Sequence, residues 1–302
     1  MRKFILLFTQ KEGSSPIIQI LDHFDEIAVI HQTHGEGYEP FNDHNCGSMP
    51  LSSLRACLEI IFGPAPIDFD ELNRIYMATA VRPLQKVETS SQAVGFKMRF
   101  VPPSKTWKLL QPIPGLANRL RPAYVRYQID FGPFRRMMFE LLSKNAVMVL
   151  MAVRQDVFRW ALSRYHGDGW GRKGHLQFAL KAGELTREDI PRIHVNPERF
   201  DSIIRHCEAL HRRKKTLVSK LRARGVEVYP LLYEDFVQEP RQFLGSVLSV
   251  LGIDVSSGQM DDALMHGTRF ERVHSGAVSD YVVNHQEIER RFGGRFVRWE
   301  AL

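Results

Sequence analysis

MRKFILLFTQKEGSSPIIQIL (residues 1–21) is the stretch whose reading decides the fold. FILLF (4–8) is apolar throughout, which is how a strand covered on both faces reads. TQKEGSS then breaks the run with Gly13, Ser14 and Ser15, and an apolar helical pattern resumes with Pro16 in its first turn. A strand, a tight glycine loop and a helix start form a physical recipe for holding an anion. Loop amides and the helix N-terminus point at the negative charge, and the helix dipole favours it. Ser14 and Ser15 add hydroxyl donors, and Lys11 adds a mobile positive charge. The phosphate-loop pattern G-x-x-x-x-G-K-S/T is absent, because Phe8 stands where its first glycine should be and the lysine precedes Gly13. Read alone, K-E-G-S-S serves equally as a plain turn.

Working outward, further strands are expected at 27–31, 95–100, 146–153 and 226–233. Helices are expected at 15–24, 52–62, 69–80, 156–165, 200–224 and 240–251, with Asn196 or Asp201 as a cap and Gly225 and Gly252 as stops. Alternation of strand and helix predicts an α/β fold of three layers, a mainly parallel central sheet flanked by helices. Residues 1–302 are read as a single domain. Proline-rich residues 102–145 and the segment 167–200 depart from the rhythm and read as insertions over one face. They serve either as a substrate lid or as a structural excursion.

The chain has 302 residues, 44% of them hydrophobic and 25% charged, enough for a sizeable core. Its formal charge is +7 and its pI about 9.4, which suits an anionic ligand or is ordinary surface charge. Cys46, Cys57 and Cys207 are too scattered for a disulfide framework and point to a reducing compartment. Neither the N-terminal apolar run nor any later one reaches membrane length, so a cytoplasmic chain without an integral membrane segment is expected. His31, His34 and His44 show no metal-ligand spacing, and no metal is expected. The densest basic run, HRRKKTLVSKLRARG (211–225), reads as a solvated helix face with Leu210, Leu217 and Leu221 beneath it. It could instead guide an acidic acceptor or touch nucleic acid.

A second site appears in AVMVLMAVRQDVFRWALSRYHG (146–167): a buried strand, Arg154 at its C-terminal end, then a helix carrying Ser163. Ligands of open α/β sheets sit beyond the C-terminal strand ends. Arg154 and Ser163 could grip a second phosphate there, or be a salt-bridged arginine and a solvent-facing serine.

The order K-x-G-S/T-S/T, then strand–Arg–helix–Ser, then LLYEDFVQEPRQFLGSVLSVLGI (231–253) resembles the sulfotransferases that use 3'-phosphoadenosine 5'-phosphosulfate. Tyr233, Glu234, Asp235, Pro240, Leu251 and Gly252 match the family's YED…P…LG signature, and YEPF (38–41) is similar to a segment of its carbohydrate-specific members. Two departures stand out. Lys11-Glu12 replaces Lys-Ser or Arg-Ser, putting an acid beside the expected sulfonate site, and Pro16 replaces a bulky residue. The family's Arg-to-Ser spacing is often one shorter, so Gln155 competes with Arg154 for the phosphate position.

The resemblance implies in-line transfer of a sulfonate to a hydroxyl of a carbohydrate or glycolipid, with the protein positioning reactants and stabilising charge. It implies that Lys11 faces the bridging oxygen, that Gly13, Ser14 and Ser15 bind the 5'-phosphate, and that Arg154 and Ser163 bind the 3'-phosphate. It implies a basic loop closing over that phosphate, with Arg269, Arg272, Ser275 and Gly276 as candidates. Glu39 is the first candidate base, His34 the second and Glu36 the third; Glu39 could equally be a surface ion-pair partner. Glu36 and Lys97 are candidate acceptor contacts, Lys97 otherwise being an exposed strand-end lysine. Glu234 and Asp235 read as structural. Two other readings remain: a small-molecule or nucleotide kinase, opposed by the missing G-K-S/T, and a non-catalytic binder of anionic glycan or nucleic acid.

Overall fold

The computed structural model describes residues 1–33, 38–41, 49–80, 82–85, 91–100, 132–169, 183–186, 189–190, 192–268 and 276–300. His34, Glu36, Arg269, Arg272 and Ser275, together with much of the two expected insertions, lie outside the described residues.

Five strands form one parallel sheet: β1 (Arg2–Phe8), β2 (Ile27–Val29), β3 (Ala93–Arg99), β4 (Met148–Val153) and β5 (Val228–Leu232), in the order β2-β3-β1-β4-β5. Every pairing is parallel. The helices are α1 (Ser14–Leu21), α2 (Leu51–Phe62), α3 (Phe69–Tyr76), α4 (Gly132–Lys144), α5 (Val157–Gly169), α6 (Pro197–Arg222), α7 (Tyr233–Gln238), α8 (Pro240–Leu251), α9 (Ser257–His266) and α10 (His285–Phe292). Ile5 and Leu7 of β1 point into a core shared with α2, α3, α4, α5, α6 and α10, while Phe4, Leu6 and Phe8 point into one shared with α1, α8 and α9. Period-2 alternation therefore feeds two apolar faces at once, and the run had to be apolar throughout. The result is the expected three-layer α/β architecture.

The caps largely follow the sequence signals. Asn196 accepts from the Arg199 amide at the start of α6, which fixes that cap, and Gly252 ends α8. One element departs from expectation. Residues 132–144, read as part of an irregular insertion, form α4, whose Phe134, Met138, Leu141 and Leu142 are core. Its apolar residues recur at helical spacing, a pattern obscured by the prolines preceding it.

The order of the strands reverses between β1 and β4: chain leaving β1 returns on the β2–β3 side, and chain leaving β4 continues to β5. Such a switch point opens a crevice at the C-terminal strand ends. The chain segments leaving β1 and β4 border it.

At Gly95, opposite Phe4 in the β1–β3 ladder, a Cβ would lie 2.5 Å from the Phe4 carbonyl oxygen and 2.7 Å from its ring. Gly95→Ala is therefore expected to lower unfolding free energy by about 1–3 kcal/mol through overpacking. Urea denaturation checks this, and an unchanged midpoint would show that β3 has room there.

Candidate active site

The loop after β1 is fixed from beneath. Glu12 is 1% exposed, and its carboxylate accepts from the Thr9 amide at 2.6 Å. Lys214 of α6, fully buried, donates to both Glu12 oxygens at 2.7 and 2.5 Å and to the Ala152 carbonyl of β4 at 2.7 Å. The ammonium's three donors therefore have three acceptors. Burial pushes the Lys214 ammonium below its ordinary value, and the Glu12 charge opposes that. With Glu12 drawn inward, Lys11 is exposed and takes a left-handed backbone (φ 67°), as does Gly13 (φ 76°). A non-glycine residue in that region costs about 1–2 kcal/mol, so the buried ion pair must hold it there. Gly13 is required twice over, because a Cβ would also collide with the Tyr233 ring.

Arg154, directly after β4, reaches the same loop. Its Nη1 donates to the Lys11 carbonyl at 3.3 Å, and its guanidinium stacks on Tyr233 with 4.6 Å to the ring centroid. Its Nε is buried and has no hydrogen-bond partner among the described residues. Gln155 instead serves the scaffold: its Oε1 accepts from the Trp299 amide at 2.6 Å. Of the two, the Arg154 side chain lies against the loop and the Gln155 side chain lies against Trp299. Glu234 accepts from the amides of Gln155 and Asp156 at 3.1 and 3.0 Å, capping the entry to α5 from the chain end of β5. Glu234 is therefore structural, as read from the sequence.

The turn carrying Arg154 has a second support. His211 Nδ1 accepts from Trp299 Nε1 at 3.0 Å, so its Nε2 carries the hydrogen and donates to the Arg154 carbonyl at 3.1 Å. Burial first, then the Lys214 and Lys215 charges, push His211 down to about 3. On α5, Trp160 Nε1 donates to the Gln10 carbonyl at 2.9 Å. His166 is buried, lowered to about 4 by burial and then by the Lys11 charge. Ser163, half-buried, lies between Trp160 and His166 at three-residue spacing, on the helix stripe that meets the loop.

Across the loop, at the end of β3, Lys97 is only 5% exposed. Its Nζ donates to Ser15 Oγ at 2.8 Å, sits 3.5 Å from Glu39 Oε1, and lies 4.4 Å above the Phe8 ring. The reading of Lys97 as an exposed strand-end residue is therefore replaced by that of a buried bridge between α1 and Glu39. Arg99 closes on both Glu39 oxygens, at 3.0 to 3.3 Å. Bonds on either side position Glu39: Lys97 N donates to the Tyr38 carbonyl at 3.1 Å and Tyr76 OH to the Pro40 carbonyl at 2.5 Å. The residue is neither solvated nor singly paired. At Gly276 a Cβ would collide with the Asp280 carboxylate.

Lys11, Gly13, Ser14, Ser15, Arg154, Glu39 and Lys97 are thus gathered around the C-terminal ends of β1, β3 and β4. The arrangement presents cations and left-handed loop backbone on one side of the crevice and a carboxylate between two cations on the other. Sequence reading missed Lys214, His211, Arg99 and Trp160. Lys214 and His211 belong to the run read as solvated, yet both are buried. They fall on the stripe of Leu210, Leu217 and Leu221, a signal visible in the spacing but overruled by their charge. Among the described residues, no group of three or more His, Cys, Asp or Glu is placed to hold a metal, and no helix is long and apolar enough to cross a membrane.

No family model and no curated protein matches the chain. Solved structures to which it is similar include the sulfotransferase domain of the Synechococcus PCC 7002 olefin synthase, at 12% identity and TM-score 0.38 over 100% of this chain and 90% of that one. Sulfotransferase STF1 of Mycobacterium tuberculosis H37Rv matches at 13% identity and TM-score 0.38, covering 97% of this chain and 77% of that one. A sulfotransferase from Alicyclobacillus acidocaldarius matches at 15% and 0.34, covering 97% and 91%. Likenesses this loose add nothing to the geometry, which has to stand by itself.

Two predictions come from the scaffold of the site. Glu12→Gln strands the Lys214 ammonium and is expected to cost about 3–5 kcal/mol, whereas Glu12→Leu combined with Lys214→Met recovers most of that loss. Chemical denaturation of the three proteins checks it, and a double variant no more stable than the single one would contradict it. His211 and His166 take up protons below about 6.5 when unfolded, but only near about 3 and about 4 when folded. The unfolded state therefore binds more protons between those values, and stability should be full above pH 6.5 and decline as pH falls towards 4. Denaturation midpoints across that range read it directly, a flat profile being the contrary result.

Proposed function

We propose that this protein transfers the sulfonate of 3'-phosphoadenosine 5'-phosphosulfate to a hydroxyl of a carbohydrate or glycolipid. One observation carries the reading: Arg154 and the left-handed Lys11–Gly13 loop, from two different strands, converge at the sheet's switch point with a buried guanidinium Nε still available. A ligand with two separated phosphates would satisfy both ends of that crevice. The donor, when bound, supplies a sulfonate on a phosphate anhydride whose leaving group is a 5'-phosphate.

In this reading the chain's residues take the following parts. Gly13, Ser14 and Ser15 hold the 5'-phosphate at the start of α1, where amides and helix dipole favour negative charge. Lys11, turned outward, stabilises the charge that develops on the leaving oxygen. Arg154 and Ser163 hold the 3'-phosphate, with the guanidinium kept planar against Tyr233. Arg272 and Gly276 remain proposed parts of a basic loop over that phosphate. Lys97 links Ser15 to Glu39 and so ties the anion end to the acceptor end. Glu39 accepts the proton of the acceptor hydroxyl, for which it must exchange part of its bonding to Arg99 and Lys97. His34 is the second candidate base, and Glu36 a candidate acceptor contact.

Thermal denaturation separates this reading from its rivals. Adenosine 3',5'-bisphosphate at about 100 times its dissociation constant should stabilise the fold by about 2.7 kcal/mol, and ATP with magnesium should do little. The reverse order indicates a kinase. Arg154→Met should weaken bisphosphate affinity about tenfold or more, since charge-assisted bonds are lost. Lys11→Ala should lower turnover by about 10²–10³-fold with a much smaller effect on that affinity. Glu39→Gln should lower turnover by about 10²–10⁴-fold with the fold intact. Normal turnover in Lys11→Ala would refute its assignment, and loss in His34→Ala instead of Glu39→Gln would move the base.

A further inference from the structure

At the opposite end of the sheet, where the strands begin, lies a cavity of about 910 Å³. Its apolar wall is made by Phe62 and Phe69 from the ends of α2 and α3, Ile67 between them, and Val94 of β3. Lys3, the second residue of β1, is in the same lining. By strand alternation its side chain shares the face of Ile5 and Leu7, the face that carries Phe62, Phe69 and Val94. Lys3 is 8% exposed, and its Nζ is buried with no hydrogen-bond partner among the described residues. Three other charged residues border the cavity: Arg2 is exposed and turns its guanidinium to the Val250 carbonyl, and Lys144 and Glu227 are exposed at the rim. Glu227 accepts from the Tyr229 hydroxyl at 3.3 Å and does not pair with Lys3.

A buried ammonium left unpaired is costly, and its burial lowers the affinity of Lys3 for its proton. Sheets normally start on apolar or exposed residues; a lysine here, between Arg2 and a phenylalanine, gains nothing for packing that a methionine would not give. A single buried positive charge beside a mainly apolar wall, with the other polar residues at the rim, matches a small, mostly apolar ligand with one anionic end. We propose that this cavity binds an aliphatic monocarboxylate, with the carboxylate on Lys3 Nζ and the chain against Phe62, Phe69, Ile67 and Val94. One ammonium and no clustered loop amides suit a monoanion better than a phosphate ester. The site is separate from the crevice of the proposed transfer reaction, being some five residues of β1 away, or roughly 15–20 Å at about 3.3 Å per residue. It does not depend on that reaction.

Calorimetric titration of the whole protein with dodecanoate, below its micelle concentration, tests the proposal. Saturable one-to-one binding is expected, with dodecanol at least tenfold weaker and octanoate on the order of a hundredfold weaker because about four fewer methylenes are buried. Lys3→Met should erase the preference for acid over alcohol, while Lys144→Met should keep it. Excess adenosine 3',5'-bisphosphate should leave dodecanoate binding unchanged. Absence of saturable binding, equal binding of acid and alcohol by the unaltered protein, survival of the preference in Lys3→Met, or displacement by the bisphosphate would each overturn the proposal. The acid–alcohol comparison needs no variant, so a poorly folding Lys3→Met does not leave the question open.

Discussion

The buried pair between Glu12 and Lys214 is the constraint on which the site depends. It joins three parts of the chain that share no local sequence: the loop after β1, the end of β4 through the Ala152 carbonyl, and the middle of α6. A buried ion pair is weak evidence for stability, since taking two charges out of water costs about as much as their attraction returns. Its value here is positional. By drawing Glu12 inward it turns Lys11 outward in a left-handed conformation, and Lys214 also tethers the strand that delivers Arg154. Two cations from separate strands thereby face one crevice.

Around that pair the support is layered. His211, with its tautomer set by Trp299, holds the Arg154 carbonyl, and Glu234 holds the two amides that follow. Tyr233 packs against both Gly13 and Arg154, so the signature that begins at Tyr233 works by shape and by backbone capping. These contacts hold groups rigid before any ligand arrives, which is the condition for charge stabilisation to be effective. Glu39 is fixed in the same manner by Arg99 and Lys97, so the β3 side of the crevice is as tightly built as the side bordered by the Lys11–Gly13 loop.

Much of this was legible in the sequence, and the remainder was not for identifiable reasons. Uninterrupted apolar runs announced a parallel sheet, and the positions of the Lys11–Ser15 loop and of Arg154 at strand ends were legible as well. Helix bounds moved by a few residues, as with α3, which stops at Tyr76 rather than at residue 80. α4 was hidden by its proline-rich approach. The direction of Glu12 could not be read, because its partner lies 202 residues away. Charge misled at 211–225, where Lys214 and His211 were counted as solvated although they share the stripe of buried leucines. Lys97 looked like a solvent-exposed end residue because its partners, Ser15 at the start of α1 and Glu39 after β2, are brought together only by the folded sheet.

One nucleotide spanning the crevice from the Lys11–Gly13 loop to Arg154 is the claim on which the functional account stands. A crystal structure of the protein with adenosine 3',5'-bisphosphate tests it most directly. The account predicts the 5'-phosphate at the amides of Gly13, Ser14 and Ser15, and the 3'-phosphate on the Arg154 guanidinium, its Nε included. A nucleotide seated elsewhere, or an Arg154 still bonded only to the Lys11 carbonyl with both phosphates out of its reach, would contradict it.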